Sequence, residues 1–153
     1  MDKISVLGLD VGRKRVGVAG CDGTGLIATG LTTINRTSFQ ADVKQLQEII
    51  EDREVKLLVV GLPYTMAGKL GFQARQVQKF AQRISLALNL PVEYVDERLT
   101  SVEAEEQMKG QRLSLSHNKA TIDRKAAAII LQRWLDIQRA NKANKDSIRN
   151  HNF

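Results

Sequence analysis

The feature that most constrains this chain is a change of hydrophobic period near residue 36. Before it, short apolar runs alternate with turns; after it, helical and strand patterns take turns. Residues 4 to 9 read as a strand, and the basic turn Gly12-Arg13-Lys14-Arg15 leads into a second over residues 16 to 19. Strands joined by so short a turn pair as an antiparallel hairpin. A further turn over residues 20 to 25 and a strand over residues 26 to 34 complete a meander. From Ser38 or Gln40 to Arg53, Val43, Leu46, Ile49 and Ile50 then recur at helical spacing. Residues 56 to 60 form a continuous apolar strand stopped by Gly61-Leu62-Pro63. A strand of that kind, fed by a helix, belongs in the buried, parallel part of a sheet.

The alternation continues. Residues 72 to 88 predict a helix with Phe72, Val77, Phe80, Ile84 and Leu88 toward the core, ended by Asn89-Leu90-Pro91. Residues 92 to 95 predict a fifth strand, running out at Asp96-Glu97-Arg98. Thr100 or Ser101 is placed to cap a short helix to about Met108, and residues 110 to 119 read as a basic loop. A last helix is expected from Thr121 to about Arg139, with Ala127, Ile130, Leu131, Trp134 and Ile137 on its apolar face. Its Ala126-Ala127-Ala128 stretch suits close packing on a sheet. The order predicts an α/β fold. Its core is a five-stranded mixed sheet, a three-strand antiparallel meander plus two parallel strands, flanked by helices. One domain is expected over residues 1–140, with a basic, flexible tail over 141–153.

Composition narrows the function. The 153 residues carry one cysteine, Cys21, which excludes an internal disulfide and a multi-cysteine zinc site. His117 and His151 lie too far apart in sequence to suggest zinc, and Ser5, Thr100 and Ser101 have no histidine base nearby. No apolar run approaches the roughly 20 residues of a membrane span, and Asp10 interrupts the apolar start that a signal peptide would need. A cytoplasmic protein without a membrane partner is expected. The formal charge of +6 favours a polyanionic partner such as nucleic acid. Half of that excess lies in residues 133–153, where five Lys and Arg face two Asp. The tail is therefore expected to add a nucleic-acid contact.

Three acids stand where solubility does not require them. Asp10 ends the first strand, Glu97 follows the fifth, and Asp123 falls in the expected first turn of the last helix. If strands one and five neighbour or nearly neighbour each other, Asp10 and Glu97 approach at their carboxyl ends, and a helix starting at residue 121 can present Asp123 to the same point. Converging carboxylates repel unless cations neutralise them, and their hard oxygens suit Mg2+ or Mn2+. Two such ions serve phosphodiester hydrolysis. Arg13 and Arg15 flank Asp10, and Lys119 and Lys125 flank Asp123, as bases placed to receive phosphates. Arg98 either contacts nucleic acid or orients Glu97. Each acid also has a plainer use: Asp10 in a turn, Glu97 in an ion pair with Arg98, Asp123 at a helix dipole.

Four segments carry a family resemblance: residues 8–19 (GLDVGRKRVGVA), 60–63 (VGLP), 95–101 (VDERLTS) and 122–127 (IDRKAA). In this order they resemble the YqgF family, described both as Holliday junction resolvases and as precursor ribosomal RNA nucleases. The resemblance spans about residues 4–138. It implies a ribonuclease H-like fold and a divalent-metal nuclease whose carboxylate triad corresponds to Asp10, Glu97 and Asp123. It also implies processing of the 5′ end of pre-16S ribosomal RNA, on precursor RNA or ribosomal particles, or resolution of branched DNA, which calls for a symmetric homodimer. Tyr64-Thr65-Met66-Ala67-Gly68 departs from the family pattern after Pro63. Two other readings stay open: an ATP-binding protein of the actin and sugar-kinase type, for which this chain is short, and a noncatalytic RNA- or ribosome-binding module.

Overall fold

The computed structural model describes residues 4–63, 70–96 and 119–151. Its elements are β1 (Val6–Val11), β2 (Arg15–Cys21), β3 (Ala28–Asn35), α1 (Phe39–Arg53), β4 (Leu57–Leu62), α2 (Phe72–Leu88), β5 (Val92–Asp96) and α3 (Lys119–His151). The five strands form one sheet in the order β3-β2-β1-β4-β5. The meander pairs are antiparallel, and β4 and β5 run parallel to β1, as the pattern predicts. The expected short helix to Met108, the segment Tyr64–Gly68, Glu97, Arg98 and His117 lie outside the described residues. No described helix is long and apolar enough to cross a membrane.

Strand alternation divides the core into two layers. Leu7, Leu9, Val18, Leu58, Val60 and Leu62 pack with Leu46 of α1 and with Val77, Phe80 and Ile84 of α2. Val6, Ala19, Val59 and Val95 point the other way, against Ala127, Ile130, Leu131 and Leu135 of α3. The sheet is thus covered by α1 and α2 on one face and by α3 on the other. Two expected core positions are not in either layer. Phe72 is 78% exposed, because it opens α2 at the sheet's end, and Ile137 is 49% exposed where α3 runs past β5.

Local chemistry explains the boundaries. Ser38 caps α1 by accepting the Ala41 N–H, and the buried Asp42 accepts the Thr37 N–H. The β2–β3 turn closes on Asp22, whose carboxylate accepts the N–H groups of Leu26 and Ile27 and the Thr24 hydroxyl. Those bonds hold its carboxyl below the usual carboxylate range. They also keep Leu26 and Ile27 in the turn, so β3 starts at Ala28 rather than at residue 26. α3 starts two residues before Thr121 and continues twelve residues past Arg139, giving about 50 Å of helix at 1.5 Å per residue. The sequence from Ala140 to His151 holds neither Gly nor Pro to stop it.

Glu54 closes α1 in the left-handed conformation (φ 54°), returning its N–H to the Glu51 and Ile50 carbonyls. A Cβ there is unfavourable by about 1 kcal/mol. Glu54→Gly is therefore expected to raise unfolding stability by up to about 1 kcal/mol in urea denaturation. A lower midpoint would show that the Glu54 side chain outweighs the backbone term.

Candidate functional site

The site is built where α3 lies on the sheet. Glycines permit the contact. A Cβ on Gly8 would lie 2.7 Å from the Leu131 Cβ and 3.0 Å from the Ala127 carbonyl. A Cβ on Gly30 would lie 3.0 Å from the Arg124 Cβ, and one on Gly17 would overlap the Asp123 carbonyl. Ala126 and Ala127 complete the approach from the helix side, both buried. The alanine stretch thus packs as its composition suggests.

This contact decides where two of the acids go. Asp10 pairs directly with Gly17 across β1 and β2, so their substituents share one face of the sheet. Gly8, two residues earlier on β1, faces α3, and Asp10 follows it by the period of two. Gly17 touches the backbone of Asp123. Asp10 and Asp123 therefore share one face, joined through a residue that has no side chain. β5 keeps the same phase: Val95 packs in the α3 layer, and Glu93 accepts the Trp134 Nε1–H at 3.3 Å.

Arg15, two residues before Gly17, also points to this face. Its Nε donates to Asp123 Oδ2 at 2.7 Å, with side-chain exposures of 29% and 22%. The guanidinium offsets the repulsion expected between Asp123 and a neighbouring carboxylate. The sequence places Arg15 to receive a phosphate; in the structure its guanidinium is bonded to Asp123. Arg13 is exposed in the β1–β2 turn, Lys119 is exposed at the start of α3, and Lys125 is half-buried six residues further on. Asp123 is the fifth residue of α3 rather than part of its first turn. The helix dipole acts mainly within the first turn, so it does not account for an acid at this position.

Carboxylate oxygens suit a hard divalent cation. Asp10 and Asp123 supply two such groups. Among the described residues, no group of three or more His, Cys, Asp or Glu side chains is arranged to hold a metal ion. The described donor set is compatible with such an ion but partial.

Two features of the site escaped the sequence reading. Gly17 looked like an ordinary strand residue; its signal is that only a Cβ-free position leaves room for a helix backbone. The second is a register shift between Val18 and Ala19, paired with Thr32 and Gly30. It lets both Thr33 and Gly30 meet α3, although an odd separation normally puts residues on opposite faces. Thr33 donates its hydroxyl to the Ala120 carbonyl, and Ala28 donates its N–H to Gln132.

Residues 4–137 match the family described as "RuvX: Holliday junction resolvase". The chain belongs to the RuvX family. It is the family that the four motifs resemble under the name YqgF. A relative from Rippkaea orientalis is 68% identical over 139 residues, covering 91% of this chain and 100% of the relative. One from Nostoc sp. is 69% identical over 138 residues, covering 90% and 91%. Each carries the name "Putative pre-16S rRNA nuclease". Among solved structures, the yeast mitochondrial Holliday junction resolvase Ydc2 superposes with a TM-score of 0.59 at 13% identity, over 98% of this chain and 85% of that one. Thermus thermophilus RuvC in complex with a Holliday junction gives 0.55 at 12%, over 88% and 96%. At such identities the likeness concerns the fold, the ribonuclease H-like architecture expected of RuvX proteins.

Gly17→Ala is expected to lower stability by at least about 1–3 kcal/mol, since the added Cβ meets helix backbone rather than a yielding side chain. Arg15→Ala is expected to cost about 1 kcal/mol or less, because its ion pair is partly exposed. Denaturant midpoints of the two variants check this order; a reversal would contradict the packing account.

Proposed function

We propose that the chain is a nuclease that hydrolyses phosphodiester bonds with a divalent cation, Mg2+ or Mn2+, held by Asp10, Glu97 and Asp123. The observation that carries this reading is the Asp10–Gly17–Asp123 arrangement, in a chain of the RuvX family. Glu97 lies outside the described residues and is assigned from its place in the motif of residues 95–101. A divalent cation, when bound, supplies an activated water and a counter-charge for the leaving oxygen. The chain's own residues orient and bind. Arg15 fixes Asp123 before the cation arrives, and Arg13, Lys119 and Lys125 receive phosphates. Arg98 either adds a phosphate contact or orients Glu97, and the helix beyond residue 140 adds positive charge.

The substrate we assign is the 5′ end of pre-16S ribosomal RNA, in the cytoplasm, free or within ribosomal particles. Support for the pre-16S ribosomal RNA comes from relatives 62–69% identical named "Putative pre-16S rRNA nuclease". A second reading, cleavage of branched DNA by a homodimer, is favoured by the family description and by the fold of the resolvases.

The deciding experiment incubates precursor ribosomal RNA, a four-way DNA junction and linear controls with the protein, with Mg2+, with Mn2+ and with chelator. Cleavage of the precursor that needs the metal is expected. Asp10→Asn is expected to lose at least about 100-fold in rate with its circular dichroism unchanged. Preferred cutting of the junction moves the assignment to branched DNA. Salt-sensitive RNA binding without cleavage would leave a noncatalytic module, and full activity of Asp10→Asn would overturn the site.

A further inference from the structure

The face of the molecule opposite α3 carries a groove that meets the carboxylate site at Arg13. It begins at the β1–β2 turn, directly after Asp10, as a cleft of about 330 Å³ lined by Arg13, Arg36, Phe72 and Gln76. That volume falls within the range of ligand pockets, about 300–1,000 Å³. It continues along α2 as a second cleft of about 210 Å³, which shares Arg36 and Gln76 and adds Lys79 and Arg83. Among the described residues, no acid lines either cleft. α2 itself contains no Asp or Glu, while Arg75, Lys79 and Arg83 recur every fourth residue.

The cations are held in place. The Arg36 guanidinium lies 4.3 Å from the Phe80 ring centroid, donates to the Gly12 carbonyl at 2.6 Å and faces the buried Asp42. The Arg83 guanidinium lies 3.9 Å from the Phe39 ring, which meets Phe80 edge-on at 6.2 Å. Two guanidiniums stacked on a fixed aromatic pair lose little freedom when they meet an anion. At the mouth of the groove Phe72 is 78% exposed. An exposed aromatic ring beside ordered cations is the combination that receives unpaired nucleotides: the ring stacks a base while the cations follow the phosphates. A paired strand keeps its bases in the stack and gains nothing from the ring.

We propose that this groove binds an unpaired polynucleotide strand leading away from the carboxylate site, with one base on Phe72 and phosphates on Arg13, Arg36, Lys79 and Arg83. The inference rests on the nuclease reading for the identity of the polymer and names the form of substrate that it takes, a single-stranded flank beside the cleavage point. From Phe72 to Arg83 the groove runs about 16 Å along the helix, long enough for a short run of nucleotides.

The test measures binding without cleavage. Fluorescent ten-nucleotide RNA and DNA single strands, and a duplex of the same sequence, are titrated with the full chain in chelator. The single strands are expected to bind at least 10-fold more tightly than the duplex, and the tighter of the two single strands identifies the sugar that the groove prefers. Phe72→Ala is expected to weaken single-strand binding about 5- to 100-fold, the effect of one lost base stack, and Phe72→Trp to retain it. Lys79→Gln with Arg83→Gln is expected to lower the dependence of log affinity on log salt by about 1.4, or 0.7 per phosphate contact. All these positions are exposed, so the variants are expected to keep the wild-type melting temperature. Wild-type affinity in Phe72→Ala, or equal binding of the duplex, would overturn the proposal. Asp10→Asn run in parallel separates it from the nuclease reading: loss of cleavage with intact binding touches the carboxylate site alone, and lost binding with intact cleavage touches the groove alone.

Discussion

The architecture depends on how closely α3 approaches the sheet. Gly8, Gly17 and Gly30 leave no side chain between the helix and strands β1, β2 and β3. Buried alanines meet them from the helix. The approach buries Ile130, Leu131 and Leu135 against Val6, Val59 and Val95. It also sets Asp123 over Gly17 and so beside the strand that carries Asp10. A helix riding one side chain higher would keep its hydrophobic layer but move Asp123 away from the sheet. The same glycines thus serve packing and the position of an acid.

The two faces of the sheet divide the electrostatic work. The α3 face gathers carboxylates at the strand ends, and Arg15 holds one of them at 2.7 Å. The opposite face offers cations ordered by aromatic rings along an acid-free helix. Both features meet at the β1–β2 turn. Asp10 precedes that turn and Arg13 lies in it, so a strand of nucleic acid reaching the acids from the groove crosses only a few residues. The carboxylates suit a metal ion on one face, and the ordered cations suit phosphates on the other.

Most of the fold was legible. The five strands, their mixed pairing and the three described helices follow from periods of two and 3.6 and from Gly and Pro punctuation, which are local properties. The departures also have local causes. Asp22 holds Leu26 and Ile27 in a turn, and the lack of a breaker carries α3 beyond Arg139. Phe72 matched the helical period of the core but sits at the helix end that projects past the sheet. Periodicity gives the direction of a side chain around a helix but not whether anything lies beyond it.

The sequence by itself determined the element order, the layered α/β class and the family motifs, and it singled out the candidate acids, because backbone preference and hydrophobic pattern act over a few residues. The tertiary structure alone decided that Asp10 and Asp123 share a face through Gly17, that Arg15 turns to Asp123, and that Arg36 and Arg83 stack on Phe80 and Phe39. Those relations join residues far apart in sequence, Arg15 and Asp123 by 108 positions. They depend on strand register, on one irregularity in the β2–β3 pairing and on the depth at which a helix settles, and these are fixed only when the whole core packs.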